Sequence, residues 1–363
     1  MFDFVVAGAG PAGSRFARRA AEAGRDVVVF EQGSIGEPLA CSGHVSLDLW
    51  EYAPEGARDT LLQNEIRGAR FHLDGPGSPA YPFYKADPVS NAIDRVGLDR
   101  LLAGAATDAG ADVRDEHTVT GLEEHGDRVV VSVRGPDGAE RVEGRMVVGA
   151  DGPRSRVRSA LGVDEPDELL HGVLGFDPEP DDADFVDVHL NVPRFFAWRI
   201  PRGDAGVEYG LAAPPGADVP ERFDELVAGY GATIDRRCSG AIPIGPPARV
   251  TGHRGLLVGD AAAQTKPFTG GGILYGMRAA DVAAETVDPE RPASLDEYET
   301  GWRRELGWDV RLGALIRWGY SLPQPVQRLG LWAFSGEIGV HMDRPTSFFS
   351  TDQLRALFSR SPP

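Results

Sequence analysis

The stretch DFVVAGAGPAG, residues 3–13, places a short apolar strand directly before a glycine-rich turn. In the dinucleotide-binding fingerprint, Gly8 permits the tight turn, Gly10 lets the backbone approach a pyrophosphate, and Gly13 allows a helix to pack closely on the strand. Ala12 falls in the first turn of that helix, whose N-terminal N–H groups attract phosphate. The stretch therefore predicts the opening of a Rossmann-like βαβ unit.

The second strand of this unit is predicted for residues 26–30 and ends at Glu31. An acidic side chain at this point accepts the ribose hydroxyls of a dinucleotide. A GxGxxG pattern alone is a weak signal. Its position between two strands, with an acid after the second, predicts dinucleotide binding.

Composition limits the class of partner. The 363 residues include 55 acidic and 37 basic ones, for a net charge of −18, and the lysines are Lys85 and Lys266. Such an acidic excess argues against nucleic-acid binding and is typical of a protein kept soluble in concentrated salt. We therefore expect a halophilic source. A GC-rich genome would explain the shortage of lysine but not the charge.

The cysteines, Cys41 and Cys238, are too few for a disulfide framework, and no cluster has metal-ligand spacing, so no metal site is predicted. Cys238 reads as a buried apolar thiol. No apolar run approaches the length of a membrane span, and the N-terminus lacks the pattern of a signal peptide. We expect a cytoplasmic protein, with peripheral contact at the inner membrane surface as a further expectation.

Two later blocks repeat the pattern of a buried strand that ends on a carboxylate. The first is RMVVGADGPRSRVR, residues 145–158, which contains Asp151. The second begins near residue 255, reaches Asp260, and is followed by a helix start that includes Gly270, Gly271, Gly272 and Ile273. A carboxylate at a strand end suits hydroxyl recognition, and the backbone N–H groups of the triple glycine face an anion.

In their order and separation, the three blocks resemble the glycine fingerprint, the Asp-Gly motif and the Gly-Asp motif of the flavoproteins that include the aromatic hydroxylases. The resemblance implies that the cofactor is FAD, with Asp260 at the ribityl chain and the triple-glycine turn near the anionic edge of reduced flavin. It also places Arg95 against the cofactor and the backbone of Val119 at the adenine. The alternatives are a solvated helix-cap arginine and an ordinary strand valine.

Between the second and third blocks, alternating apolar residues and regular turns predict an antiparallel sheet. The expected fold class is α/β (α+β), with a Rossmann-like FAD-binding domain, an inserted antiparallel substrate sheet and a helical tail. The predicted ranges are 1–65, 85–164 and 246–290 for the FAD-binding domain, 66–84 and 165–245 for the substrate sheet, and 291–363 for the tail.

Within the predicted sheet, the segment PRFFAWRIP, residues 193–201, puts Phe196, Trp198 and Ile200 on one face of a strand. Alone, this alternation is equally typical of ordinary sheet core. However, it is similar to the substrate-wall motif of the geranylgeranyl reductases, although Phe196 and Ile200 stand where tyrosine and phenylalanine are more usual. The segment CSGHVS, which begins at Cys41, resembles the cysteine-bearing loop of the same family.

This resemblance implies an FAD-dependent reductase that saturates the C=C bonds of geranylgeranyl chains on archaeal ether-lipid precursors. Hydride would come from reduced flavin N5, and the proton from Cys41, His44 or a flavin-bound water. Cys41 and Ser42 would contact the cofactor, while Phe196, Trp198 and Ile200 would bind the substrate. No second GxGxxG occurs, so no dedicated NAD(P)H-binding domain is indicated. Electrons would come from a ferredoxin-like carrier or from NAD(P)H that docks transiently.

Other functions stay open at this point. Residues 196–201 come within one residue of the Trp-x-Trp-x-Ile-Pro segment of flavin-dependent halogenases, so a halogenase or monooxygenase is one alternative. A prenyl reductase acting on a quinone side chain or free geranylgeranyl diphosphate is another, and a flavoprotein that only relays electrons is a third. Residues 302–342 alternate apolar stripes with aromatics, which fits core packing, a lid, or a surface that meets a bilayer.

Overall fold

The computed structural model describes residues 1–39 and 41–337, so the predicted tail beyond residue 337 lies outside the described residues. Its strands, in chain order, are β1 Phe2–Ala7, β2 Val27–Phe30, β3 His44–Ser46, β4 Leu62–Ile66, β5 Gly68–His72, β6 Ala80–Tyr84, β7 Ser90–Ile93, β8 Asp112–Arg114, β9 Thr118–Glu124, β10 Val129–Gly135, β11 Gly138–Gly149, β12 Glu168–Asp177, β13 Phe185–His189, β14 Ala197–Pro201, β15 Val207–Ala213, β16 Arg236–Ile244, β17 Gly255–Leu257 and β18 Gly336–Glu337. The helices are α1 Pro11–Glu22, α2 Ala57–Leu61, α3 Arg95–Asp108, α4 Arg156–Ala160, α5 Val219–Tyr230, α6 Ile273–Thr286, α7 Leu295–Trp318 and α8 Gln324–Phe334.

The cofactor sheet has the order β8-β2-β1-β11-β10-β9, and β17 also pairs with β11. Strands β8, β2, β1, β11 and β17 run parallel, whereas β9, β10 and β11 form an antiparallel meander. The predicted Rossmann-like unit is confirmed in β1, α1 and β2. A Cβ on Gly13 would lie 2.0 Å from the carbonyl oxygen of Gly8, so only glycine lets α1 pack this closely.

The substrate sheet has the order β16-β12-β15-β14-β13-β5-β6-β18. Its pairings are antiparallel except for β5 with β13 and β6 with β18. Alternation along β13 sends Val186 and Val188 to one face and the buried Asp187 and His189 to the other. Helix α5 packs on the second face through Phe223 and its neighbours, which leaves the first face to line a cavity.

Helix α7 has two environments along its length. Its first half buries Tyr298, Trp302 and Leu306 in the core of the cofactor sheet, together with α6. Its second half and α8 instead leave large apolar side chains exposed. The predicted fold class, with a helical C-terminal region, is confirmed, while the domain boundaries given above stay a prediction.

Candidate cofactor and substrate site

A cavity of about 910 Å³ lies where the two large sheets meet the C-terminal helices. Its wall brings together most of the predicted site residues, although they are far apart in sequence. These residues are Gly10, Ala12, Cys41, Ser42, His44, Arg95, Phe196, Trp198, Ile200, Asp260, Gly270, Gly271, Gly272 and Ile273.

The other predicted cofactor residues lie outside this wall. Gly8 forms the turn behind it at a φ of 100°, and Gly13 packs α1 against that turn. The Glu31 carboxylate accepts hydrogen bonds from the backbone N–H of Ala9 at 2.7 Å and of Gln32 at 3.0 Å. Burial raises the pKa of the Glu31 carboxyl, and the bond from Ala9 opposes that rise.

Val119 and Asp151 lie near the start of α4. Val119 lines a second cavity of about 400 Å³, together with residues 154–157 and their neighbours. The Asp151 carboxylate accepts from Ser155 Oγ at 2.5 Å and from the N–H of Val157 at 3.1 Å. It therefore fixes the start of the helix, and its predicted role at the cofactor stays a prediction.

The cofactor end of the large cavity has the groups that FAD requires. Nothing lies within 4 Å of the position of a Cβ on Gly10, and α1 has no side-chain cap, so its N-terminal N–H groups face open space. Helix α6 likewise has no side-chain cap, and its N-cap residue is Gly272. The N–H groups at both helix starts can therefore donate hydrogen bonds to an anionic or other acceptor group of the cofactor.

Arg95 and Asp260 add charge at this end. Arg95 is 7% exposed, its Nη1 lies 2.5 Å from Asp99 Oδ1, and its Nε has no hydrogen-bond partner among the described residues. Burial raises the pKa of the Asp260 carboxyl to about 6, against the attraction of Arg95. A buried, unpartnered guanidinium nitrogen and a buried carboxyl on one wall fit a polar cofactor with both phosphates and hydroxyls.

The cysteine loop approaches the same wall. Cys41 Sγ donates to the carbonyl of Ser42 at 3.5 Å, and burial raises the pKa of the thiol while Arg95 opposes the rise. The imidazole of His44 lies on β3, with Nε2 2.8 Å from Ser90 Oγ. The thiol thus holds its proton at neutral pH beside the cavity.

The predicted substrate wall is an aromatic layer formed by Phe196, Trp198 of β14 and Tyr320 after α7. Phe196 meets Trp198 edge to face at 5.7 Å, and it meets Tyr320 in the same way at 6.0 Å. A Cβ on Gly210 would lie 2.1 Å from the indole of Trp198, so the ring occupies the space that a side chain there would fill. The Nε1–H of Trp198 donates to the buried carboxylate of Glu208 at 3.0 Å.

The far end of the cavity is formed by residues that the sequence did not single out. They come from α7, the turn after it, α8 and β6, and they include Leu312, Ile316, Tyr320, Val326, Leu331, Phe334, Phe83 and Tyr84. Val326 and Phe334 are also 50% and 42% exposed, so the cavity opens onto an apolar surface. The apolar stripes of residues 302–342 were the available signal, but they do not reveal which cavity they cover.

Metal-binding clusters and membrane-spanning helices were sought within residues 1–39 and 41–337. No group of three or more His, Cys, Asp or Glu side chains there is arranged to hold a metal ion. Nor is any of these helices both long enough and apolar enough to span a bilayer.

Comparison with known proteins adds sequence relatives to this geometry. A family described as FAD binding domain matches residues 86–206. Digeranylgeranylglycerophospholipid reductase 1 of Methanopyrus kandleri is 31% identical over 335 residues, which cover 84% of this chain and 87% of its own.

Solved structures share the fold. A geranylgeranyl bacteriochlorophyll reductase-like protein of Thermoplasma acidophilum has a TM-score of 0.85 and 21% identity, over 99% of this chain and 96% of its own. p-Nitrophenol 4-monooxygenase of Pseudomonas putida has a TM-score of 0.73 and 17% identity, over 99% and 97%. The fold is therefore shared by a reductase-like protein and a monooxygenase and does not distinguish between the two classes. The sequence relatives are reductases.

Proposed function

This chain belongs to the digeranylgeranylglycerophospholipid reductase family, and on that premise we propose that its substrate is an archaeal ether-lipid precursor with two geranylgeranyl chains. It is an FAD-dependent oxidoreductase that reduces geranylgeranyl chains. The observation that best supports the lipid substrate is the cavity itself. It runs from Cys41 and Gly270, past the aromatic layer of β14, to the apolar residues of α7 and α8.

At the cofactor end, we propose that the N-termini of α1 and α6, together with Arg95, bind and orient FAD. The chemistry that FAD would supply there, in its reduced form, is a hydride from N5 to one carbon of the alkene. The Asp260 carboxylate would accept a hydrogen bond from a hydroxyl of the ribityl chain, and the Glu31 carboxylate would accept hydrogen bonds from the ribose hydroxyls. The contacts of Gly8 and Gly13 keep the backbone of the first turn close to the cofactor.

The remaining side chains act on the prenyl chain. Phe196, Trp198 and Ile200 lie along it and exclude water from the reacting alkene. Cys41 Sγ and the His44 imidazole are two groups of the cavity wall that can hold a proton, and we propose them as the candidate donors to the second alkene carbon.

The C-terminal helices support a peripheral membrane contact. Seven of the ten exposed large apolar side chains of the described residues lie in the segment 308–334, among them Trp308, Trp318 and Trp332. The segment carries three arginines and one aspartate, although the chain as a whole has a charge of −18. We propose that this face rests on an anionic leaflet and that the lipid chain enters the cavity between α7 and α8.

An anaerobic turnover experiment tests the proposed function. The holoprotein is reduced with dithionite and supplied with digeranylgeranylglyceryl phosphate, and the mass of the lipid is followed. We expect a gain of two hydrogens for each double bond reduced. Cys41→Ala and His44→Ala are assayed beside the wild type, and full turnover in both variants would make the cysteine loop merely architectural.

Oxygen separates this function from the monooxygenase and halogenase alternatives. A reductase works without oxygen, whereas those enzymes require it, so an unchanged lipid mass with a flavin that stays reduced would overturn the proposal. A quinone with a geranylgeranyl side chain and free geranylgeranyl diphosphate are supplied in parallel, to show which molecule carries the prenyl chain that is reduced. The reductase needs an electron donor, and replacing dithionite with NADPH or with a reduced ferredoxin tests the two donors that we propose.

A further inference from the structure

Glu208 is a buried carboxylate that lies behind the cavity wall rather than in it. Its residue is 1% exposed, on β15, inside a sheet whose neighbouring positions are apolar. A carboxylate in such a place is costly unless its oxygens are satisfied by donors. The hydrogen-bond partners of the Glu208 carboxylate therefore indicate its role.

The first oxygen holds the substrate wall. Glu208 lies opposite Ile200 in the β14–β15 register, and Gly210 lies opposite Trp198, so both pairs face the same side of the sheet. The absence of a side chain at Gly210 lets the indole of Trp198 lie against the strand. In that position the indole Nε1–H donates to Glu208 Oε1 at 3.0 Å, which fixes the orientation of the ring.

The second oxygen holds the cysteine loop. Glu208 Oε2 accepts the backbone N–H of Gly43 at 3.4 Å, from a residue 165 positions earlier in the chain. Gly43 packs closely on the backbone of Ile93, since a Cβ there would lie 2.3 Å from the carbonyl oxygen of Ile93, and its own carbonyl accepts the N–H of Ile93 at 2.9 Å. Gly43 is two residues from Cys41, so the same carboxylate ties together the two sides of the cavity that the proposed reaction uses.

Both partners of Glu208 are donors, which defines the chemistry that the position needs. An ionised carboxylate has two acceptor oxygens, whereas a carboxamide has one acceptor oxygen and an NH₂ that can only donate. Arg202, 7% exposed, provides the nearby positive charge while its Nε donates to Gln63. Attraction to Glu208 opposes the lowering of the Arg202 pKa by burial.

We propose that Glu208 is a positioning residue that couples the cysteine loop to the substrate wall and so sets where the alkene lies relative to Cys41. The proposal rests on the proposed function for the identity of the alkene. The coupling itself is independent of the proposed function, because it depends only on the two hydrogen bonds of Glu208.

Glu208→Gln is the test variant, because glutamine keeps the size of the side chain but can accept only one of the two N–H groups. We expect kcat to fall by about tenfold, because the loop and the wall no longer hold the alkene in one place relative to Cys41, with KM within about twofold of wild type. The KM is retained because the apolar surface of the cavity does not change. Glu225→Gln, an exposed position on α5, is the matched control and should behave like the wild type.

Trp198→Phe completes a double-mutant cycle. Phenylalanine has no N–H, so the single oxygen of glutamine can then turn to Gly43 and leave no donor unpaired. We therefore expect Glu208→Gln to cost much less in the Trp198→Phe background than in the wild type. Equal costs in both backgrounds would overturn the coupling.

A spectroscopic measurement separates this proposal from the proposed function. In holoprotein with ¹⁵N-labelled indoles and without substrate, Trp198→Phe identifies the Trp198 Nε1–H signal. Glu208→Gln should move that signal upfield, because a bond to a charged acceptor is lost. An unmoved signal with wild-type kcat overturns the proposal, whereas a wild-type protein that reduces no prenyl lipid overturns only the function.

If Glu208→Gln does not yield folded holoprotein, Glu208→Asp replaces it. That variant keeps both oxygens but shortens their reach, and a wild-type kcat and indole signal in it would again overturn the proposal.

Discussion

At the scale of single residues, the site depends on polar groups that burial holds in unusual states. Cys41 keeps its proton because burial raises its thiol pKa, while Arg95 retains an unpartnered Nε among the described residues. Such groups are typical of sites that are completed by a ligand. The pKa of a carboxyl group at this end should therefore depend on whether FAD is bound.

Asp260 gives this expectation a defined pH. Its carboxyl pKa is raised by burial from 3.8 to about 6, whereas a hydroxyl donated by the ribityl chain would favour the ionised form. Below about pH 6 the apoprotein is protonated at Asp260, so binding FAD must release that proton. We expect the dissociation constant of FAD to be nearly constant above about pH 7 and to rise by up to about tenfold per pH unit below about pH 6.

Fluorescence titration of the apoprotein with FAD between about pH 4.5 and pH 8 measures this dependence. Asp260→Asn is the control, because its carboxamide cannot ionise. It should bind FAD more weakly than the wild type above about pH 7, where Asp260 is ionised, and lose the change near pH 6. The same pH dependence in both proteins would show that another group is responsible.

At the scale of secondary-structure elements, the C-terminal helices join two functions. The exposed apolar side chains of Leu329 and Trp332, at 63% and 52%, lie on α8, while Leu331 of the same helix lines the cavity. A helix with one face in the cavity and one outside connects the proposed membrane contact to the substrate path. The two faces can be changed separately.

We expect the paired change Leu329→Glu and Trp332→Glu to reduce cosedimentation with anionic lipid vesicles by at least about tenfold, because it replaces two apolar contacts with charges. Turnover on lipid embedded in vesicles should fall in parallel. Turnover on detergent-dispersed lipid should be preserved, since neither side chain lines the cavity. Leu47→Glu, at an exposed apolar position outside these helices, is the control and should bind vesicles like the wild type.

Sequence reasoning predicted the elements whose constraints are local. The glycines of the first turn could be recognised because each one is required by close contacts within a few residues. The alternation along β14 predicted which of its faces lines the cavity. The role of Glu208 could not be predicted, because its partner Gly43 meets it only through strand pairing across 165 positions. The α7 and α8 residues at the far end of the cavity were missed for the same reason, since periodicity identifies an apolar face but not what that face covers.

At the scale of the whole molecule, charge is the dominant feature. A net charge of −18 on 363 residues creates self-repulsion that salt screens. We expect the Tm at neutral pH to rise by several degrees between about 0.1 M and about 2 M KCl, measured by scanning calorimetry on the holoprotein. Near the sequence pI of about 4.9, where the net charge vanishes, the same salt step should have a much smaller effect. An equal rise at both pH values would exclude charge screening as its cause.

The connectivity of the cofactor sheet also has a consequence for the growing chain. Strand β1 is made well before its neighbour β11, which begins at Gly138, and before β17, which completes the sheet and ends at Leu257. At ordinary rates of translation, on the order of tens of seconds separate Gly10 from Gly272. During that interval the ribosome-bound chain carries unpaired strand edges and only one of the two helix starts that face the cofactor. FAD can therefore bind both helix starts only after Gly272 has been made, and the edges of the cofactor sheet stay open to pairing with other chains until β17 is complete.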